Sequence, residues 1–94
     1  MIIGVCEVSL SLPMAHSLKE KRGLLKPLLA RLRGEFNVSV AEVDDQDQWQ
    51  SAVIAIAMVS ADGGNLHGAL ESVVRWIERT QPHLYLANWE IEIV

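Results

Sequence analysis

Residues 2–20 read IIGVCEVSLSLPMAHSLKE, and the hydrophobic period changes inside this stretch. Ile2, Gly4, Cys6, Val8, Leu10 and Leu12 fall on one side; Ile3, Val5, Glu7, Ser9 and Ser11 fall on the other. A period of two predicts a long strand, ended by Pro13. Ser17-Leu18-Lys19-Glu20 then has the form of a capping box, in which the serine oxygen accepts from the Glu20 amide. Leu18, Leu25, Leu28, Leu29 and Leu32 follow at helical spacing and make one apolar stripe. Gly34 suits the position just past the helix end. Pro27 has no amide hydrogen and its ring crowds the Gly23 carbonyl. A kink or loosened turn is expected near 23–27, but no break, because the stripe stays in phase.

The rest of the chain continues the pattern. Phe36, Val38 and Val40 alternate with Asn37, Ser39 and Ala41, a second strand over 36–43. Asp44-Asp45-Gln46-Asp47 is a turn cluster. Trp49 to Val59 is β-rich and apolar on both sides, as a central strand is. Asp62-Gly63-Gly64-Asn65 offers two N-cap residues. Leu66, Ala69, Leu70, Val73 and Ile77 form a second helical stripe, which ends near Thr80 ahead of Pro82. Leu84 to Val94 alternates once more, with Trp89, Ile91 and Ile93 opposite Asn88, Glu90 and Glu92.

The order βαββαβ is the ferredoxin-like arrangement of the α+β class, and residues 1–94 read as one domain. Right-handed crossovers give a four-stranded antiparallel sheet in the order 4-1-3-2, with two helices on one face and the other face bare. The loop after the first strand, the hairpin between strands two and three, and the loop after the second helix then share one end of the sheet.

Composition narrows the function classes. Half of the 94 residues are hydrophobic, enough for one folded core. Cys6 is the one cysteine, so no intramolecular disulfide forms, and its mid-strand place on the core side predicts an inert thiol. The start of the chain has no secretory pattern, and Ala52 to Val59 is too short to span a bilayer as a helix. A reducing, cytoplasmic setting with no membrane partner is expected. The net charge is −4, yet Lys19 to Arg33 carries +5 and the remainder −9. That balance argues against general nucleic-acid binding but leaves one basic face.

Three groups of residues are candidate sites. Lys19, Lys21, Arg22, Lys26, Arg31 and Arg33 supply the basic face, with Lys19, Lys26 and Arg33 sharing a strip at i, i+7 and i+14. His16, Asp45 and Asp47 meet at the loop end, with His83 near them, where a small enzyme or metal protein would place its chemistry. A basic helix start beside an acidic hairpin is also ordinary charge compensation. The acidic cluster lacks the glycine and glutamate of a calcium loop, and neither a metal-ligand spacing nor a catalytic or cofactor motif is present. Val5, Val53, Ala55, Ala57 and Val59 lie on the bare sheet face, with Ser51, Ala41 and Val43. These residues are mostly small and apolar where a solvated face is polar, which points to a homodimer or protein interface. No aromatic stacking platform for RNA exists on strands one and three. Trp76 and Trp89 read as core or interface residues, and Trp49 as packing at the hairpin end.

The run His16-Ser17-Leu18-Lys19-Glu20-Lys21-Arg22, the later Arg31-Leu32-Arg33, Phe36-Asn37-Val38-Ser39-Val40-Ala41-Glu42-Val43 and Asp45-Gln46-Asp47 together resemble the YlxP-like family. These are small bacterial proteins classed as a domain of unknown function. The resemblance covers nearly the whole chain. It implies a ferredoxin-like fold and an association with translation, because such genes often lie beside translation and ribosome-maturation factors. It carries no active site across. Pro27 replaces the family's usual polar residue, and Asp44 stands where glycine is common. The resulting expectation is a non-enzymatic module without a cofactor, which touches RNA or a ribosomal particle through the first helix and forms a homodimer.

Overall fold

The computed structural model describes residues 1–94. Its elements are β1 (Ile2–Ser11), α1 (Leu18–Glu35), β2 (Ser39–Asp44), β3 (Ser51–Ser60), a short 3₁₀ turn (Gly63–Asn65), α2 (Leu66–Thr80) and β4 (Tyr85–Ile93). All neighbouring strands run antiparallel in the order β2-β3-β1-β4, which is the predicted 4-1-3-2 read from the opposite edge.

The period of two places Cys6, Val8 and Leu10 on the helix side of β1, where each is buried. Ile54 and Ile56 of β3 join them, and α1 adds Leu25, Leu28 and Leu32. Leu70, Val73, Val74, Trp76 and Ile77 of α2 close the same core. Phe36 packs edge-on against Trp76, with ring centroids 5.7 Å apart. Close packing at one point depends on a missing side chain. A Cβ on Gly4 would stand 2.8 Å from Leu70 Cδ1 and 2.9 Å from Leu66 Cγ, so glycine lets α2 settle onto β1.

The helix ends follow local chemistry. Ser17 Oγ accepts from the Glu20 amide at 3.0 Å, as the capping box requires. Helix α1 runs unbroken through Pro27. Gly34 differs from expectation: it lies inside the last turn, and no glycine takes a positive φ. The helix stops instead because Phe36 turns extended, while its amide still reaches the Leu32 carbonyl. Asp62 caps the 3₁₀ turn through the Gly64 amide, whereas Asn65 makes no side-chain cap. Trp49, at the hairpin end, is 53% exposed.

Candidate functional site

Helix α1 presents two different basic surfaces. With 3.6 residues per turn, Lys19, Arg22, Lys26 and Arg33 fall within an arc of about 60° and span about 21 Å. All four are exposed, and none pairs with a carboxylate. Arg33 alone is tethered, donating from Nη2 to the Val40 carbonyl at 2.9 Å. Arg31 lies off this arc, its guanidinium carbon 5.1 Å from the centroid of the Trp76 ring, an arrangement that attracts a cation to an aromatic face.

Lys21 corrects the reading of the sequence. It stands four residues before Leu25 and seven before Leu28, on the apolar stripe, and is 1% exposed. Its Nζ lies 2.8 Å from Glu42 Oε2 and donates to the Asp45 carbonyl at 2.6 Å. No nucleic-acid phosphate reaches an ammonium held this way. Glu42 Oε2 is buried and makes no aligned hydrogen bond, so the attraction to Lys21 is its compensation. Charge compensation between helix and hairpin is thus confined to this pair.

Hydrogen bonds to backbone groups hold the loop end together. Gln50 Nε2 donates to the carbonyls of Pro13 and Ala15, and the Leu12 amide donates to the Gln50 carbonyl. Asp45 takes a φ of 59°, in the left-handed region that aspartate tolerates better than most residues. Its amide donates to Asp44 Oδ1 and its Oδ2 accepts from Ser51 Oγ. The left-handed residue is therefore Asp45, while Asp44 ends β2. His16 and Asp47 are exposed, and His16, Asp45 and Asp47 do not form a metal-holding group. His83 lies instead beside α1. With Met14, Glu20, Gly23 and Leu24 it lines a hollow of about 320 Å³. Nothing in residue spacing announces this hollow, because it joins the β1–α1 loop, α1 and the loop before β4.

The bare sheet face is less uniform than its sequence pattern. Val5 pairs with Ala57, and Ala41 with Ala55, so the β3 side is apolar as expected. Val53 is buried, Val5, Ala55 and Ala57 are half-buried, and Val59 is 62% exposed. On the β4 side, Glu7 stands directly opposite Glu90, and Glu92 opposite Val5. An acidic row therefore borders the apolar one. Each glutamate was visible in its strand pattern; their meeting depends on the β1–β4 register. Beneath this face, burial pushes the Cys6 thiol up to about 11, against a smaller lowering contribution from the Glu90 backbone.

No helix is long and apolar enough to cross a membrane. Among solved structures, the chain is similar to the de novo designed protein Foldit4, with a TM-score of 0.53 and 16% identity over 100% of this chain and 97% of that one. It is also similar to a second de novo designed protein with ferredoxin fold, with a TM-score of 0.56 and 13% identity over 100% of this chain and 84% of that one. These likenesses show the fold alone. In sequence the chain is 39% identical over 77 residues to the Uncharacterized protein YlxP of Bacillus subtilis (strain 168), covering 82% of this chain and 84% of that protein. A family model described as Protein of unknown function (DUF503) matches residues 3–91, nearly the full length, and the chain belongs to that family.

Proposed function

We propose that the protein is a non-enzymatic RNA-binding module of the translation apparatus, and that α1 is its contact surface. The observation that carries this reading is the row Lys19, Arg22, Lys26 and Arg33: four exposed cations on one narrow arc, none neutralised by a carboxylate. Backbone phosphates attract such a row without any base being read. Arg31 stands at its flank and Lys21 serves the fold. Net charge of −4 keeps the rest of the surface repulsive to RNA, which confines contact to this helix.

Co-sedimentation with purified ribosomal particles and RNA across a salt series tests the proposal. Four phosphate contacts on single-stranded RNA give a slope of log affinity against log salt of about −3. Lys19→Glu/Lys26→Glu/Arg33→Glu removes co-sedimentation at every salt concentration. Absence of co-sedimentation by the unaltered protein at low salt refutes the reading.

A second reading concerns the sheet face. We infer that a second copy covers its β3 side, because Val59 is 62% exposed beside half-buried Val5, Ala55 and Ala57. Light scattering then finds a dimer at micromolar concentration, which Val59→Lys disrupts. A monomer at all concentrations removes this reading and leaves the first intact.

A further inference from the structure

The hollow beside α1 has features that the fold itself does not need. Gly23 lies in the interior of a long helix, where glycine is unfavourable. A Cβ built there meets nothing within 4 Å, and its φ is not positive, so neither crowding nor backbone conformation requires glycine. Pro27, four residues on, has no amide hydrogen to give the Gly23 carbonyl. The result is an open floor with a carbonyl lacking its helical donor. Lys19 and Lys26, at i−4 and i+3 from Gly23, are its neighbours on the helix surface. Around the floor stand Met14, which is 60% exposed, Leu24, His83 and Glu20, whose carboxylate makes no ion pair.

Resting on the RNA-binding reading above, we propose that this hollow receives one base of a single-stranded RNA whose phosphates lie on Lys19, Arg22 and Lys26. The hollow, at about 320 Å³, exceeds the roughly 150 Å³ cavity that accepts a benzene ring. Met14, Leu24 and the His83 imidazole offer apolar and planar surface to the base. The Glu20 carboxylate accepts from amino or imino hydrogens on its Watson–Crick edge, as acceptors facing an exposed base do. A duplex keeps its bases stacked and paired, so it offers phosphates to the row but nothing to the hollow.

Fluorescence anisotropy with a labelled single-stranded RNA and a labelled blunt RNA duplex tests the inference. Three proteins are compared: the unaltered chain, Gly23→Leu, and Lys19→Glu/Lys26→Glu. Leucine at 23 fills the hollow from an unobstructed Cβ position and favours the helix, so thermal melting stays at or above that of the unaltered chain. The unaltered protein binds the single strand about tenfold more tightly than the duplex, and Gly23→Leu loses this preference while keeping its duplex affinity. His83→Ala weakens the single-strand preference in the same direction. If Gly23→Leu binds the single strand like the unaltered chain, or if that chain does not distinguish the two RNAs, the hollow is not a base site. Loss of binding in Lys19→Glu/Lys26→Glu alongside such a result leaves the phosphate row standing. No binding of either RNA by the unaltered chain overturns both.

Discussion

At the scale of single residues, Lys21 and Cys6 show how burial changes what a functional group does. Lys21 is a cation inside the apolar stripe, satisfied by Glu42 and the Asp45 carbonyl. Replacing it with methionine keeps most of the volume but leaves Glu42 Oε2 without its countercharge. Because Glu42 is partly exposed, Lys21→Met costs about 2–3 kcal/mol, below the full range for a buried pair, and denaturant unfolding measures the loss. Lys21→Met/Glu42→Leu recovers most of it. An unchanged midpoint in the single variant would show that the pair contributes nothing. The position of Lys21 was open to discovery from the sequence, since it shares its helical phase with Leu25, Leu28 and Leu32. Its residue type hid it: a lysine among six basic residues reads as surface.

Cys6 is fully buried, and its thiol is held neutral up to about pH 11. An unfolded chain releases that proton earlier. The stabilisation is therefore complete below the ordinary cysteine range and is lost as pH rises through about 9 toward 11. Cys6→Ala flattens that part of the stability–pH curve, and alkylation of the folded protein at neutral pH is slow. Fast alkylation under native conditions contradicts this burial.

At the scale of elements, the two periods marked both helices and three of the strands, and a β-rich run apolar on both sides marked β3. Alternation marked β1, and i, i+3, i+4 spacing marked both helices, because each element buries one face. Boundaries were harder to place. The expected second strand began at Phe36, but backbone pairing begins at Ser39, with Phe36 and Val38 packed on the core from outside the ladder. Gly34 looked like a helix end by type alone; its turn closes without a left-handed residue. Gly4 had no signal beyond its inward phase, yet it sets the distance between α2 and β1. Gly4→Ala places a methyl against Leu66 and Leu70 and costs about 1–3 kcal/mol, read as a lower melting temperature. If crowding is the cause, Gly4→Ala combined with the buried Leu70→Ala costs less than the two single losses added together; no change in the single Gly4→Ala variant would refute it.

At the scale of the whole molecule, the topology was legible and its surfaces were only partly so. The bare face was expected to be mostly small and apolar, and strand register brings Glu7 and Glu90 into direct opposition on it. Like charges facing each other across a sheet destabilise it, and Glu90→Lys raises stability by about 0.2–1 kcal/mol. If the unaltered protein is also the more stable one, the two carboxylates do not oppose each other. The hollow at Gly23 was invisible for another reason: Met14, Gly23 and His83 are far apart in sequence and share no periodicity.

We propose that RNA meets the chain on α1. Titrating isotopically labelled protein with single-stranded RNA and following backbone amide shifts by NMR tests it most directly. The expected perturbations concentrate on Lys19, Arg22, Gly23, Lys26 and Arg33, weaken with added salt, and spare the β3 residues Val53, Ala55 and Ala57. Perturbations centred on the sheet face, or none at low salt, would contradict it.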